Sequence, residues 1–195
     1  MKVNHQNDSD CSDPEALEAA KSGNFYKWRP VGKYRDEFSP HQAIVFNTDN
    51  EYTYVLGSNG NKQSCLCWNG KQIKVLAQMP SEKTFFANVY FDGIIYTFGG
   101  YDAYEKVQLR SCEYYNIKKD QWHNSEQILP MGKVEFELHS DRSQASSCVF
   151  DNDTIFIFGG YHKDEGTLDI IERFHIQSKT MELMKLKIPS PLRRF

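Results

Sequence analysis

Any chemistry in this chain of 195 residues would draw on six histidines, five cysteines and the carboxylates beside them. The histidines are His5, His41, His123, His139, His162 and His175. No two stand four apart, the spacing that puts a pair of metal ligands on one helix face. His139 and Asp141 come nearest to an acid–base dyad, but they lie in the polar loop "LPMGKVEFELHSDR", where a solvated pair is expected. Cys65 and Cys67 alternate along a strand and so share a face. Two small buried side chains are expected there in preference to a redox or metal pair. With Cys11, Cys112 and Cys148 the count is odd, and the spacing fits neither a zinc knuckle nor a disulfide frame. Reduced thiols in an intracellular, cytoplasmic protein are the expectation. The sequence has no Gly-x-Ser-x-Gly, Walker or dinucleotide motif, and its Gly-Gly pairs precede loops instead of helices. The net charge of −3, with no basic stripe interleaved with aromatics, argues against nucleic acid. No apolar run approaches the roughly 18 residues of a membrane helix, and the polar start "MKVNHQNDSD" is no signal peptide. No catalytic residue, metal or cofactor is expected.

The elements that would position these side chains read as strands. Aromatic residues make up 14% of the chain, and they favour strands. "ANVYF" and "IIYTF" flank Asp92-Gly93, which predicts a two-residue type I′ hairpin. "SCLCW" and "KQIKVL" flank Asn69-Gly70 and predict the same turn, while "ASSCVF" and "TIFIF" meet at the polar "DND". The runs 94–98 and 154–158 are apolar on both alternations, so both of their faces should be covered. Residues 1–41 form a polar leader. Within it, Ser12 to Gly23 carries the punctuation of a short helix, and residues 25–40 read as an aromatic edge segment.

The chain repeats itself. "IIYTFGGY" (94–101) returns as "TIFIFGGY" (154–161), and "YTYVLGS" around Gly57 is a weaker copy. Gly57, Gly99 and Gly159 are 42 and 60 residues apart, a period near 50 that signals a propeller of four-stranded blades. The second halves align as well. "CEYYNIKKDQW" carries Glu113, Tyr115 and Trp122, and "IERFHIQSKTM" carries Glu172, Phe174 and Met181. In these residues the chain resembles the kelch-repeat family over roughly 42–195. The resemblance implies an all-β fold of about three kelch-type β-propeller blades, an incomplete ring as a single chain. The repeats run at about 42–83, 84–142 and 143–188, with the start of a further one in "IPSPLRRF". Gly57, Gly99, Gly100, Gly159 and Gly160 would let the backbone bend away from the crowded centre. Tyr115, Trp122 and Phe174 would pack between sheets. Glu113 and Glu172 would accept backbone N–H groups from a neighbouring loop.

By the same resemblance, function lies in a protein-interaction module without catalysis, gripping a protein partner with the loops 57–63, 99–109 and 159–168. The candidate contacts are Tyr101, Asp102, Tyr104, Tyr161, His162 and Lys163, although Tyr101 and Tyr161 could instead pack under their own loops. Two alternatives stand beside this reading: a fragment of a longer kelch protein without independent function, and a sugar-processing kelch-like oxidase or mutarotase. The ring would close through further blades of a longer protein or through self-association of two three-blade halves, or else the chain would be an open, partly ordered array capped by its first 40 residues.

Overall fold

The computed structural model describes residues 52–57, 64–124 and 136–193 in full, and residues 43–46 by their backbone. The chain divides into two units, Met1–Asp36 and Glu37–Phe195. The expected leader helix and edge segment lie outside the described residues.

Twelve of the described strands build three antiparallel sheets of four. The first holds β1 (Ala43–Phe46), β2 (Thr53–Leu56), β3 (Cys65–Trp68) and β4 (Ile73–Val75). The second holds β5 (Ala87–Phe91), β6 (Ile94–Asp102), β7 (Val107–Asn116) and β8 (Gln121–Asn124). The third holds β9 (Ser146–Asp151), β10 (Thr154–Phe158), β13 (Ile170–His175) and β14 (Thr180–Lys187). A two-stranded ribbon, β11 (Tyr161–His162) and β12 (Gly166–Thr167), projects between β10 and β13. Each sheet runs in chain order, the meander of a propeller blade. The described residues contain no helix, so none is long and apolar enough to cross a membrane.

The turns follow their residues. Asp92 and Gly93 have φ of 45° and 74°, as a type I′ hairpin requires. The expectation for Asn69-Gly70 needs correction, because only Gly70 there has a positive φ, of 86°. Asn69 Oδ1 accepts the N–H groups of Lys71 (3.0 Å) and Gln72 (2.8 Å), which opens the turn to four residues.

Successive blades pack face to face, with their first strands adjacent: β1 lies against β5, and β5 against β9. Alternation gives each blade two apolar faces, here called near and far according to whether they meet the preceding or the following blade. The far face of blade one, with Tyr54, Leu56, Cys65 and Cys67, packs on the near face of blade two, with Ile95, Tyr115 and Trp122. The far face of blade two, with Tyr96, Phe98 and Cys112, packs in turn on Ile155, Ile157 and Phe174 of blade three. Tyr96, Phe98, Phe136 and Phe174 meet at ring-centroid distances of 4.7–6.5 Å. Burying each such side chain stabilises the junction by roughly 1.5–3 kcal/mol. This is why 94–98 and 154–158 carry apolar residues on both alternations.

Candidate functional site

The segments leading into blades two and three each carry a basic residue that belongs to no motif of the sequence. Lys83 and Arg142 occupy corresponding places, and both are fully buried. Lys83 Nζ lies 3.3 Å from Glu113, and Arg142 Nη1 lies 2.6 Å from Glu172, with all four side chains excluded from solvent. Each pair spans 30 residues (83 to 113, 142 to 172), a regularity visible in the sequence but not in the glycine–glutamate–tryptophan pattern. The two glutamates therefore answer cations first. Glu172 also accepts the backbone N–H of His139 at 3.1 Å, as expected of it, and the ring Nδ1–H of His139 at 2.8 Å. Glu113 differs, taking the Ser81 hydroxyl. Pro80 stands where His139 stands in the next blade and has no N–H to give. His139 is thus tied to Glu172, whereas Asp141 approaches Arg110 at 3.8 Å, so the two form no dyad. Burial lowers the pKa of Arg142 while Glu172 opposes the shift. Burial also pushes the neighbouring Cys112 thiol up to about 12.

The glycines serve these lead segments. At Gly99, with φ of 59°, a Cβ would stand 2.5 Å from the Arg142 carbonyl oxygen. At Gly159 the same role falls to the carbonyl of Leu192. The strand loses its side chain where the next lead crosses it, a tighter demand than a bend alone.

A second set of residues clamps blade two to its predecessor. Asp120 Oδ1 accepts the N–H of Ala77 (2.8 Å) and the hydroxyl of Tyr115 (2.6 Å), and Trp122 Nε1–H donates to the Ala77 carbonyl at 2.9 Å. The Ala77 N–H, with Tyr115 adding to it, holds the Asp120 carboxyl below its ordinary value. Burial raises the Tyr115 hydroxyl. Blade three exchanges the whole set: Phe174, Lys179 and Met181 replace Tyr115, Asp120 and Trp122. Lys179 Nζ lies 5.0–5.8 Å from the ring centroids of Tyr96, Tyr114 and Phe174 and donates to the Tyr96 hydroxyl at 3.2 Å. A cation–π contact thus takes the place of the hydroxyl–carboxylate bond.

The expected contact residues sit on two matching turns. Asp102 Oδ1 accepts the N–H groups of Tyr104 (2.8 Å) and Glu105 (3.1 Å). His162 Nδ1 accepts those of Asp164 (3.3 Å) and Glu165 (3.4 Å) from the equivalent position. Both side chains shape their turn. Tyr101 and Tyr161 are half-buried, and each bridges the lead segment of its own blade, at Thr84 and Ser143 respectively. The Arg193 guanidinium lies 4.9 Å from the Tyr161 ring centroid. Tyr104, 82% exposed, and the exposed Lys163 remain as projecting side chains. Residues 58–63 of the first expected loop lie outside the described residues. Cys65, Cys67 and Cys112 are buried free thiols, and Cys148 is an exposed one.

Residues 83–125, which span blade two with its buried ion pair and its clamp, match the kelch motif. The chain carries a kelch repeat. Blade three repeats its geometry with exchanged junction residues, and the three sheets share the four-stranded antiparallel form of propeller blades. No curated protein matches the chain in sequence. Its fold is similar to that of the solved structure of YjhT, with a TM-score of 0.59 at 13% identity over 82% of this chain. The match covers 55% of the YjhT chain. Glu113, Tyr115, Trp122, Glu172 and Phe174, the residues expected to form the repeat's framework, all lie at blade junctions, whereas Tyr104 and Lys163 lie on the turns that extend from the blades. A cleft of about 500 Å³ beside Tyr52, Tyr54, Lys74 and Tyr115 accompanies the first junction, and no motif pointed to it.

Proposed function

We propose that this chain is a kelch-type binding module that captures a protein partner on the turns 102–106 and 162–166, without catalysis. The observation that carries the reading is Tyr104, 82% exposed on a turn that Asp102 has already fixed. A rigid aromatic offers a large contact area at small entropic cost, which suits protein recognition. Charged residues of both signs occupy the two turns, with Glu105, Lys106, Lys163, Asp164 and Glu165 all exposed. The buried carboxylates Glu113 and Glu172 are engaged by Lys83 and Arg142, a use that supports a structural role.

The test is affinity capture with the wild-type chain and with Tyr104→Ala/Lys163→Ala, followed by quantification of each retained protein. The double variant is expected to keep the wild-type melting temperature and to lose the partners specific to the wild-type chain. An unchanged set of partners would refute the reading.

A further inference from the structure

The far face of blade three repeats a face that is covered one blade earlier. Phe91, Tyr96 and Phe98 of blade two pack into the junction with blade three. Their counterparts are Phe150, Phe156 and Phe158, of which Phe150 is 72% exposed and the other two half-buried. Phe150 and Phe156 meet edge to face at 5.6 Å, so the surface is ordered and aromatic. At the other end, the near face of blade one presents Leu66, Trp68, Ile73 (40% exposed) and Val75 (72% exposed).

The lead positions indicate how these faces match. Val55 pairs with Leu66 as Thr97 pairs with Glu113 and Ile157 with Glu172, so Leu66 stands in the glutamate position. The Gly160 N–H donates to the Leu192 carbonyl (2.9 Å) and the Leu192 N–H to Leu168 (3.2 Å), as the Gly100 N–H donates to Arg142 (2.9 Å) and the Arg142 N–H to Leu109 (3.2 Å). Leu192 therefore stands in the lead position that elsewhere holds Lys83 and Arg142. Both partners of the buried ion pair are replaced by leucine, one on each unmatched face. A cation in the lead would be stranded against Leu66, and a lead leucine would strand a glutamate. The two faces fit each other and neither fits an internal junction.

We propose that the far face of blade three seats the near face of blade one of a second copy of this chain, head to tail, with Leu192 against Leu66. Two such junctions would join the three described blades of each copy into a ring of six, within the range in which propellers close.

The experiment is light scattering on the full chain across a range of concentrations. The expected mass is twice that of the chain. Phe150→Asp and Val75→Asp, both at sites exposed in the single chain, should each raise the dissociation constant at least roughly tenfold, since each places a charge in an apolar contact, and should melt as the wild type does at concentrations where all three are monomeric. Mixing the two variants should recover a complex through their one intact pair of faces. Leu66→Glu and Leu192→Lys should each weaken the dimer, and the double variant should recover it by restoring the ion pair. A monomer at every concentration, with a cooperative melt, would overturn the proposal. So would a Val75→Asp chain that dimerises as the wild type does, or a Leu66→Glu/Leu192→Lys variant no tighter than its singles.

Discussion

Replacing Glu172 by Gln keeps the size and one acceptor oxygen of the side chain but removes the charge that Arg142 faces at 2.6 Å. Both side chains are fully buried, and among the described residues Nε and Nη2 of Arg142 meet no acceptor. The guanidinium would be left in the interior with only a neutral amide. Removing one member of such a pair costs about 3–5 kcal/mol, a large share of the roughly 5–15 kcal/mol that holds a domain folded. For a chain of this length that corresponds to a fall in Tm of roughly 6–20 °C. Thermal melts followed by near-ultraviolet circular dichroism would read it, because Tyr96, Tyr114 and Phe136 lie in the adjoining junction. Arg142→Leu/Glu172→Leu provides the control. With both charges gone no ion is stranded and only the His139 donors lose their acceptor, so the double variant should lose less stability than the sum of its singles. A loss of less than about 1 kcal/mol in Glu172→Gln would place the pair in the range of solvent-exposed ion pairs and refute the reasoning. Strict additivity in the cycle would do the same.

The Asp120 clamp predicts a pH dependence. The Asp120 carboxyl is held below its ordinary value of 3.8 by the Ala77 N–H and the Tyr115 hydroxyl. Its contribution is therefore complete above that value and disappears as pH falls through the lower folded value. The stability difference between the wild type and Asp120→Asn in urea titrations should be constant from pH 5 to pH 7 and shrink below pH 4. A difference that stays constant into acid would refute the assignment. Thiol reactivity should follow burial. In the native protein at pH 8, Cys148 should alkylate promptly, whereas Cys112, pushed up to about 12, and buried Cys65 should react only after unfolding. Cys148 lies opposite Phe156 on the far face of blade three, so its alkylation should slow as the concentration rises into the dimer range. Equal reactivity of the four described thiols in the native chain would contradict the fold described above.

The blades were legible in the sequence because each depends on strong local signals. Asp92-Gly93 sets its hairpin through a turn that few other dipeptides adopt. The two apolar runs ending in Gly-Gly mark the strands covered on both faces. The junction chemistry was less legible, because it joins residues 30 apart through a lead segment that looks like ordinary loop. "PSEK" and "HSDR" share a serine, then an acidic and a basic residue, a likeness too short to stand out from ordinary loop, so the pairing of Lys83 with Glu113 and Arg142 with Glu172 emerges only once the register is known. The contact residues were half legible. Tyr104 and Lys163 project as an exposed turn predicts, but Asp102 and His162 are engaged in making that turn. An aspartate and a histidine share the role because each offers one lone pair at the same reach from the backbone.

The exchanges between junctions also bear on how one chain keeps its blades in order. Three similar sheets of one chain could pair in the wrong sequence, since their apolar faces alone discriminate little. The residues beneath those faces discriminate more. Setting the Arg142 lead against the face that carries Leu66 would bury a guanidinium without its carboxylate, an error of several kcal/mol. Setting the Leu192 lead against the face that carries Glu172 would leave that carboxylate without its cation, at similar cost. The clamps discriminate in the same way. Lys179 needs the aromatic floor of Tyr96 and Tyr114, which blade two alone supplies, and Asp120 needs the free N–H of Ala77 in the linker after blade one. The substitutions that make the three repeats look degenerate therefore give each junction a chemistry that penalises its rivals, which is how specificity arises from surfaces of nearly equal shape.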